Sequence, residues 1–453
     1  MKKIWVVLLA IGLIAAFSMS ASAATVKFSG SYYLAGVYEN NRQQADTDKT
    51  FSRAFYYQRI RITPVFEIAE GLTFVTRFDV LEKQWGQTDW RGGVDDKESS
   101  RRQQQSFGNP KIQESLEWEW GYVSFKTKIG QFDIGYKQSG KWGTRLGDDS
   151  QTRPGINYSY AFGPLTMMFM YEKLFEADTS SQAGYAGKVD ADVDTYALAG
   201  IYKFSGGDAG LRYKYHNFAS NRTKAVPYRS TISEVAPYFR ATFGPLFVAS
   251  ELNYLFGKAK KYEGAGAPAT GDVDATGWAG YLIAKMDLGP AYVGAQFVYV
   301  SGDDGTDPTK DKTGSAVAPS HSNDLNMALI LGNDDMQTWA NGGIGGANGA
   351  GTTRDSSKIN MVIYNIFAGY NVTPQINIEG GLTTAKADKK PVGFVSDKYG
   401  TEFDLTATYK INKNLEYMVG AGYLWTGDFF KGTSDANGVG NDYLLMNKLT
   451  LLF

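Results

Sequence analysis

The 453-residue sequence contains no cysteine, only two histidines, no surplus of positive charge and, after its first two dozen residues, no long apolar run. Each absence removes a class of function. Without thiols there is no haem attachment through C-x-x-C-H, no thiolate metal site and no disulfide framework. His216 and His321 cannot make a three-histidine zinc centre; His216 has no neighbouring serine and acid arranged by sequence, and His321 lies in a long loop. No G-x-S-x-G elbow, Walker A loop or dinucleotide fingerprint is present, so the chain is read as no enzyme and as needing no cofactor. With 46 basic and 47 acidic side chains there is no positive field to hold nucleic acid. No stretch of about 18 apolar residues follows the start, which excludes a membrane-spanning helix but not a barrel, whose strands need only about 9–11 residues each.

The start itself is a targeting segment. Met1-Lys2-Lys3, an apolar run from Ile4 to Phe17 and the A-x-A site Ala21-Ser22-Ala23 form a secretory signal peptide, residues 1–23, with cleavage expected after Ala23. Losing Lys2 and Lys3 leaves 44 basic against 47 acidic side chains over residues 24–453. Export would permit disulfides, and none can form, so stability must come from burial or from closed backbone pairing.

What is plentiful is aromatic and small: 29 Tyr, 26 Phe and 52 Gly, with only 13 Pro, a composition suited to strands joined by tight turns. Strand patterning repeats along the chain. In 53–68, Ile60, Ile62 and Phe66 fall on one face and Arg53, Phe55, Tyr57, Arg59, Arg61 and Thr63 on the other. Leu72, Phe74, Phe78 and Val80 oppose Arg77 and Asp79; Leu116, Trp118, Trp120 and Tyr122 oppose Glu117 and Glu119. Leu211, Tyr213 and Tyr215 oppose Arg212, Lys214 and His216, and Val235, Phe239 and Phe243 oppose Glu234, Tyr238 and Arg240. One face is always greasy and the other charged.

Between these strands, two kinds of connection alternate. Short ones carry Gly, Pro or Asn, at Glu70-Gly71, 128–131, Gly163-Pro164, Gly206-Gly207, Gly244-Pro245, Gly289-Pro290, Thr373-Pro374 and 412–414. Long polar ones occupy 39–50, 84–113, 139–152, 176–190, 218–228, 259–271, 302–356, 387–397 and 428–440. Eight turns and nine loops predict eighteen strands, with sixteen as the alternative where 154–162 is weakly patterned. The predicted fold is all-β: a closed antiparallel transmembrane β-barrel with short periplasmic turns and long extracellular loops, because a closed sheet satisfies every backbone group inside hydrocarbon. A β-sandwich would need two or three domains at this length, and no linker divides the chain.

The final strand, with Tyr443, Leu445, Leu449, Leu451 and Phe453 at alternate positions and Asn447 as the one departure, resembles the terminal strand of Gram-negative outer-membrane porins. That resemblance implies residence in the bacterial outer membrane and passive diffusion of small hydrophilic solutes. It also implies recognition of Tyr443, Leu449, Leu451 and Phe453 by the barrel assembly machinery, a homotrimer, and a constriction loop bearing acids that face an arginine wall. A sheath whose lumen holds a partner protein is the competing function.

The candidate pore lining follows from inward charge, since Arg or Lys facing lipid near the midplane costs about 2–4 kcal/mol. It comprises Arg53, Arg59, Arg61, Arg77, Asp79, Glu117, Glu119, Lys203, Arg212, Lys214, Glu234, Arg240 and Glu251, with pairing between adjacent strands as the alternative role. Two loops are candidates for the constriction. Residues 139–152 follow the fifth strand and offer Arg145, Asp148 and Asp149. Residues 302–356 carry eight acids against three bases and an apolar island, Leu325 and 327–331, that is expected to fold into the mouth, with a surface or trimer contact as the alternative. Asp303, Asp304, Asp307 and Asp311 in the same loop do not match an EF-hand and are read as a solvated turn. Trp85, Trp118, Trp120, Trp142 and Trp425 are read as an interfacial girdle.

Overall fold

A computed structural model describes residues 25–41, 45–46, 52–86, 116–139, 141–147, 151–176, 190–264, 266–312, 325–333 and 360–453. The signal peptide, Asp148, Asp149 and His321 lie outside these residues. Eighteen long strands form one closed sheet. In chain order they are β1 Thr25–Glu39, β2 Arg53–Ala69, β3 Leu72–Gln84, β4 Leu116–Thr127, β5 Gly130–Gln138, β6 Thr152–Phe162, β7 Leu165–Phe175, β8 Val193–Phe204 and β9 Gly207–Phe218. The second half comprises β10 Tyr228–Phe243, β11 Leu246–Tyr262, β12 Val273–Leu288, β13 Ala291–Val300, β14 Met361–Asn371, β15 Ile376–Lys386, β16 Lys398–Lys410, β17 Leu415–Thr426 and β18 Asp442–Leu452. Each pairs antiparallel with its chain neighbours, and β1 pairs with both β2 and β18, so no long strand is left as an edge. Two-residue strands add to the loop end: Lys310–Asp311 lies along β12, and Ala45–Asp46 pairs with Gly438–Val439.

The count is eighteen, not sixteen, and the weakly patterned 154–162 is a full strand, β6. Eight short turns alternate with nine longer connections, so β1 begins and β18 ends at the turn end of the barrel. Outside, apolar side chains remain half exposed around the circumference, including Leu198, Leu211, Leu282, Ile366, Leu405 and Leu445. Such a band belongs in hydrocarbon, where the sheet's closure spares each backbone group a penalty of several kcal/mol.

One parity expectation is corrected. Trp118 faces outward, 63% exposed, but Trp120 and Tyr122 face inward. Arg77 pairs with Trp120 and Phe78 with Trp118, which makes Glu119 an extra residue, a β-bulge that turns the rest of β4 over. The Arg77 guanidinium stacks 3.9 Å from the Trp120 ring centre.

The closing seam explains two polar or small residues in the wall. Phe453 N–H donates to the Gly30 carbonyl and Gly30 N–H donates to that of Phe453, at 3.1 and 2.8 Å. A Cβ at Gly30 would overlap the Arg61 carbonyl and lie 2.6 Å from the Phe453 ring. Gly36 likewise makes room for the Asn447 amide and the Tyr56 ring, each of which a Cβ at Gly36 would strike. Gly30→Val is therefore expected to cost about 1–3 kcal/mol by overpacking the seam. A urea midpoint for the folded, heat-modifiable form would read the loss, and an unchanged midpoint would mean the seam yields freely.

Candidate functional site

Inside the barrel the inward charges are arranged in cross-strand pairs. Arg61 is held by Asp79 through two bonds of 2.6 and 2.5 Å, and Arg59 approaches Asp79 and Glu82 at 4.0 and 3.6 Å. Arg53 lies 3.5 Å from Glu39, Arg77 2.9 Å from Glu119, and Arg212 2.7 Å from Glu234. Lys214 stands opposite Glu234, Lys203 opposite Asp208, and Glu117 opposite Asp79. Arg77 and Arg212 are 5% and 7% exposed at the side chain, so they belong to the fabric of the wall. Arg53, Arg59 and Arg61 keep about a quarter of their surface, 24, 23 and 23%, and retain a face toward the lumen. Arg240 pairs with Asp208 at 2.7 Å and is half exposed. His216 is buried against Thr195, at 2.9 Å, and Phe218.

Two loop segments enter the lumen. The first is 141–147, from the connection after β5. Trp142, read from sequence as part of the girdle, is instead 5% exposed inside the barrel. Its Nε1–H donates to the Ala236 carbonyl at 3.0 Å, and its ring meets Tyr238 edge-on at 5.0 Å. A Trp at the start of a loop has no sequence signal that says which side of the wall it takes. The Thr144 N–H and hydroxyl donate to Glu251 Oε2 at 2.7 and 2.8 Å, and Arg240 donates to the Gly143 carbonyl at 3.2 Å. Gly143 has φ +51° and a Cβ there would strike Glu251 and Tyr238, so only glycine makes this turn. Glu251 thus acts as a tether rather than as a free lining charge.

The second segment is 325–333, from the long connection between β13 and β14. It curls on itself, Met327 N–H donating to the Gly332 carbonyl at 3.0 Å. Glu402 of β16 accepts the Ile330 and Leu331 N–H groups at 2.7 and 2.5 Å, Asp404 accepts from Leu329 at 3.4 Å, and Asn365 donates to the Met327 carbonyl at 3.1 Å. Ile330 and Leu331 are fully buried, in one apolar cluster with Leu146 of the first segment and wall residues such as Tyr57, Val298 and Leu424. Glu402 and Asp404 were not singled out in the sequence, although they occupy alternate inward positions of their strand like every other charge named above.

What remains open is water space on either side of this junction. One cavity of about 560 Å³ is lined by Lys141, Arg145, Tyr238 and Arg240. Another of about 700 Å³ carries Lys285, Glu379, Asp404, Lys410 and Glu416 among its walls. Arg145 and Ile283 line both. Among the described residues no cluster of three metal-ligating side chains occurs. The acids of 303–307 instead cap their own turns, Asp303 accepting from Gly305 N–H and Asp307 from Thr309.

A polar corridor narrowed by inward loops, inside a wall that is apolar outside, is the anatomy of a diffusion channel. A family model described as Gram-negative porin matches residues 9–322, more than half the chain. A search of the curated proteins returns no match. Among solved structures the chain is similar to Pseudomonas aeruginosa OccK2 (OpdF) in complex with glucuronate, at 11% identity and TM-score 0.47, covering 96% of this chain and 99% of that one. It is also similar to P. aeruginosa OpdQ, at 12% identity and TM-score 0.49 over 94% and 97%, and to a BenF-like porin from Pseudomonas fluorescens Pf-5, at 13% and 0.47 over 94% and 99%. At that distance no residue role passes from them to this chain. The protein belongs to the Gram-negative porin family, and it is a passive β-barrel channel of the outer membrane for small solutes rather than an enzyme.

Proposed function

We propose that solutes cross between the two inward segments and the arginine-bearing wall, with Arg145 at the narrow section, and that the pore favours small anions. The observation that carries this reading is the position of Arg145 on the lining of both cavities. The charged groups lining the 560 Å³ cavity, Lys141, Arg145 and Arg240, are all cationic, and Arg240 pairs with Asp208. A positive ring at a constriction attracts anions and repels cations. Arg53, Arg59 and Arg61 extend the same sign along the wall but at reduced strength, because each is matched by Glu39, Asp79 or Glu82.

The reading extends to assembly. Residues 1–23 would be removed on export, the strand bearing Tyr443, Leu449, Leu451 and Phe453 would present the recognition pattern for the barrel assembly machinery, and the working unit would be a homotrimer. The outward parity of Tyr443 and Phe453, 37% and 53% exposed, supports the second of these. The test is planar-bilayer conductance of the purified, refolded chain under a salt gradient. Discrete open steps with an anion-favouring reversal potential are expected. A folded barrel that stays silent would favour the sheath that awaits a partner, and a cation-favouring potential would remove Arg145 from control of the narrow section.

A further inference from the structure

On the outer wall, at the loop end of β14 to β17, a notch of about 380 Å³ is lined by Tyr364, Thr384, Lys386, Lys398, Thr401 and Trp425, together with small residues and no acid. Its shape has a local cause. Lys386 pairs directly with Lys398, while Ala385 pairs with Gly400, so Tyr399 is an extra residue in β16. Tyr399 is swallowed by the lumen, 1% exposed. The bulge therefore puts Lys398 and Thr401 on the same outward face, with Gly400 between them at φ +141°, where a Cβ would strike the Trp425 carbonyl and Leu424.

Two ammonium groups directly opposite one another on a sheet repel. Both side chains are exposed, and among the described residues neither forms an ion pair. Lys389 and Lys390, in the loop just above, are exposed as well, while the intervening Asp388 is turned away to accept the Gly302 N–H at 3.0 Å. Below the lysines, the Thr401 hydroxyl bonds that of Thr384 at 3.3 Å, and Tyr364 and Trp425 stand half exposed on either flank. Lower still come Leu382, Phe403 and Leu405, all open to lipid. Reading down the wall, the order is cations, a row of hydroxyls flanked by aromatic rings, then hydrocarbon.

We propose that this notch is a binding site for a phosphorylated glycolipid of the outer leaflet. Its phosphate would sit between Lys386 and Lys398, its sugar against the Trp425 ring and the threonine hydroxyls, and its acyl chains along Leu382, Phe403 and Leu405. The match is one of charge and of depth: basic clusters at a membrane surface bind anionic headgroups, and only a lipid brings phosphate, sugar and hydrocarbon in that vertical order. The site lies outside the permeation path and does not depend on how the pore selects.

The test is native mass spectrometry of the full-length mature barrel, released from detergent after incubation with bis-phosphorylated lipid A or with its dephosphorylated counterpart. The wild-type barrel should retain the phosphorylated lipid at least about tenfold better, and Lys386→Ala/Lys398→Ala should fall to the dephosphorylated level. Equal retention of the two lipids by the wild type would overturn the proposal without any variant having to fold. So would undiminished retention by the double variant, once heat-modifiable migration shows it folded. Displacement of the lipid by an equal concentration of inorganic phosphate would make this a site for the free ion, and a variant that loses oligomers while keeping lipid would assign the face to a second copy of the chain; either result overturns it.

Discussion

Deleting residues 325–331 should raise single-channel conductance about twofold or more, since the segment fills lumen cross-section that water would otherwise occupy. The barrel itself should survive. Glu402, Asp404 and Asn365, which hold the segment, stand on the inner face, and once the segment is gone their polar atoms meet water rather than a void. The strand pairing of β14 to β17 does not pass through it. A milder lesion should act through the same tether. Glu402→Ala removes the acceptor of two buried N–H groups, each costing about 1–3 kcal/mol when left unsatisfied. The segment then gains by leaving the wall, and the open level should become noisy as it moves in and out. Conductance unchanged by the deletion in a folded barrel would remove the segment from the permeation path and return it to a structural role.

Reversing one charge should have the next largest effect. Arg145→Glu changes the local charge by two units on a side chain that lines both cavities. Even in water a unit charge at about 4 Å is worth about 1 kcal/mol, so the swap should shift the anion-to-cation permeability ratio on the order of tenfold toward cations. Arg212→Gln makes an informative contrast. Arg212 is buried beside Glu234 and under Trp142, so its loss is expected to lower folding yield rather than to alter selectivity. A reversal potential unmoved by Arg145→Glu would show that the narrowest point lies elsewhere.

The barrel was legible because two signals with a period of two coincide. Outward positions must be apolar and inward ones must meet water, and strands such as β2 and β9 write both demands into every pair of residues. Turns were equally plain, since Gly163-Pro164, Gly244-Pro245 and Gly289-Pro290 admit little else. Bulges were not. Glu119 in β4 and Tyr399 in β16 each add one residue whose only mark is that parity fails afterwards, and Trp120 and Tyr122 were turned to the wrong side for that reason. The lumen's organisation was legible only in part. Inward charge could be named residue by residue, but its partners come from neighbouring strands, and the tether from Glu402 to Ile330 joins positions 72 apart. Trp142 shows the same limit, because its acceptor on Ala236 lies 94 residues away.

Both inward segments are fastened largely through their main chain. Glu402, Asp404 and Glu251 take peptide N–H groups, and Asn365 and Arg240 give to peptide carbonyls, so the anchors read where the backbone runs and not which residues it carries. Such a fastening separates inheritance of shape from inheritance of taste. Substitutions at Asn326, Ala328 or Arg145 can rewrite the surface that a passing solute meets while the loops stay moored, and a lineage, or an engineer, can retune the filter one side chain at a time without rebuilding the barrel around it.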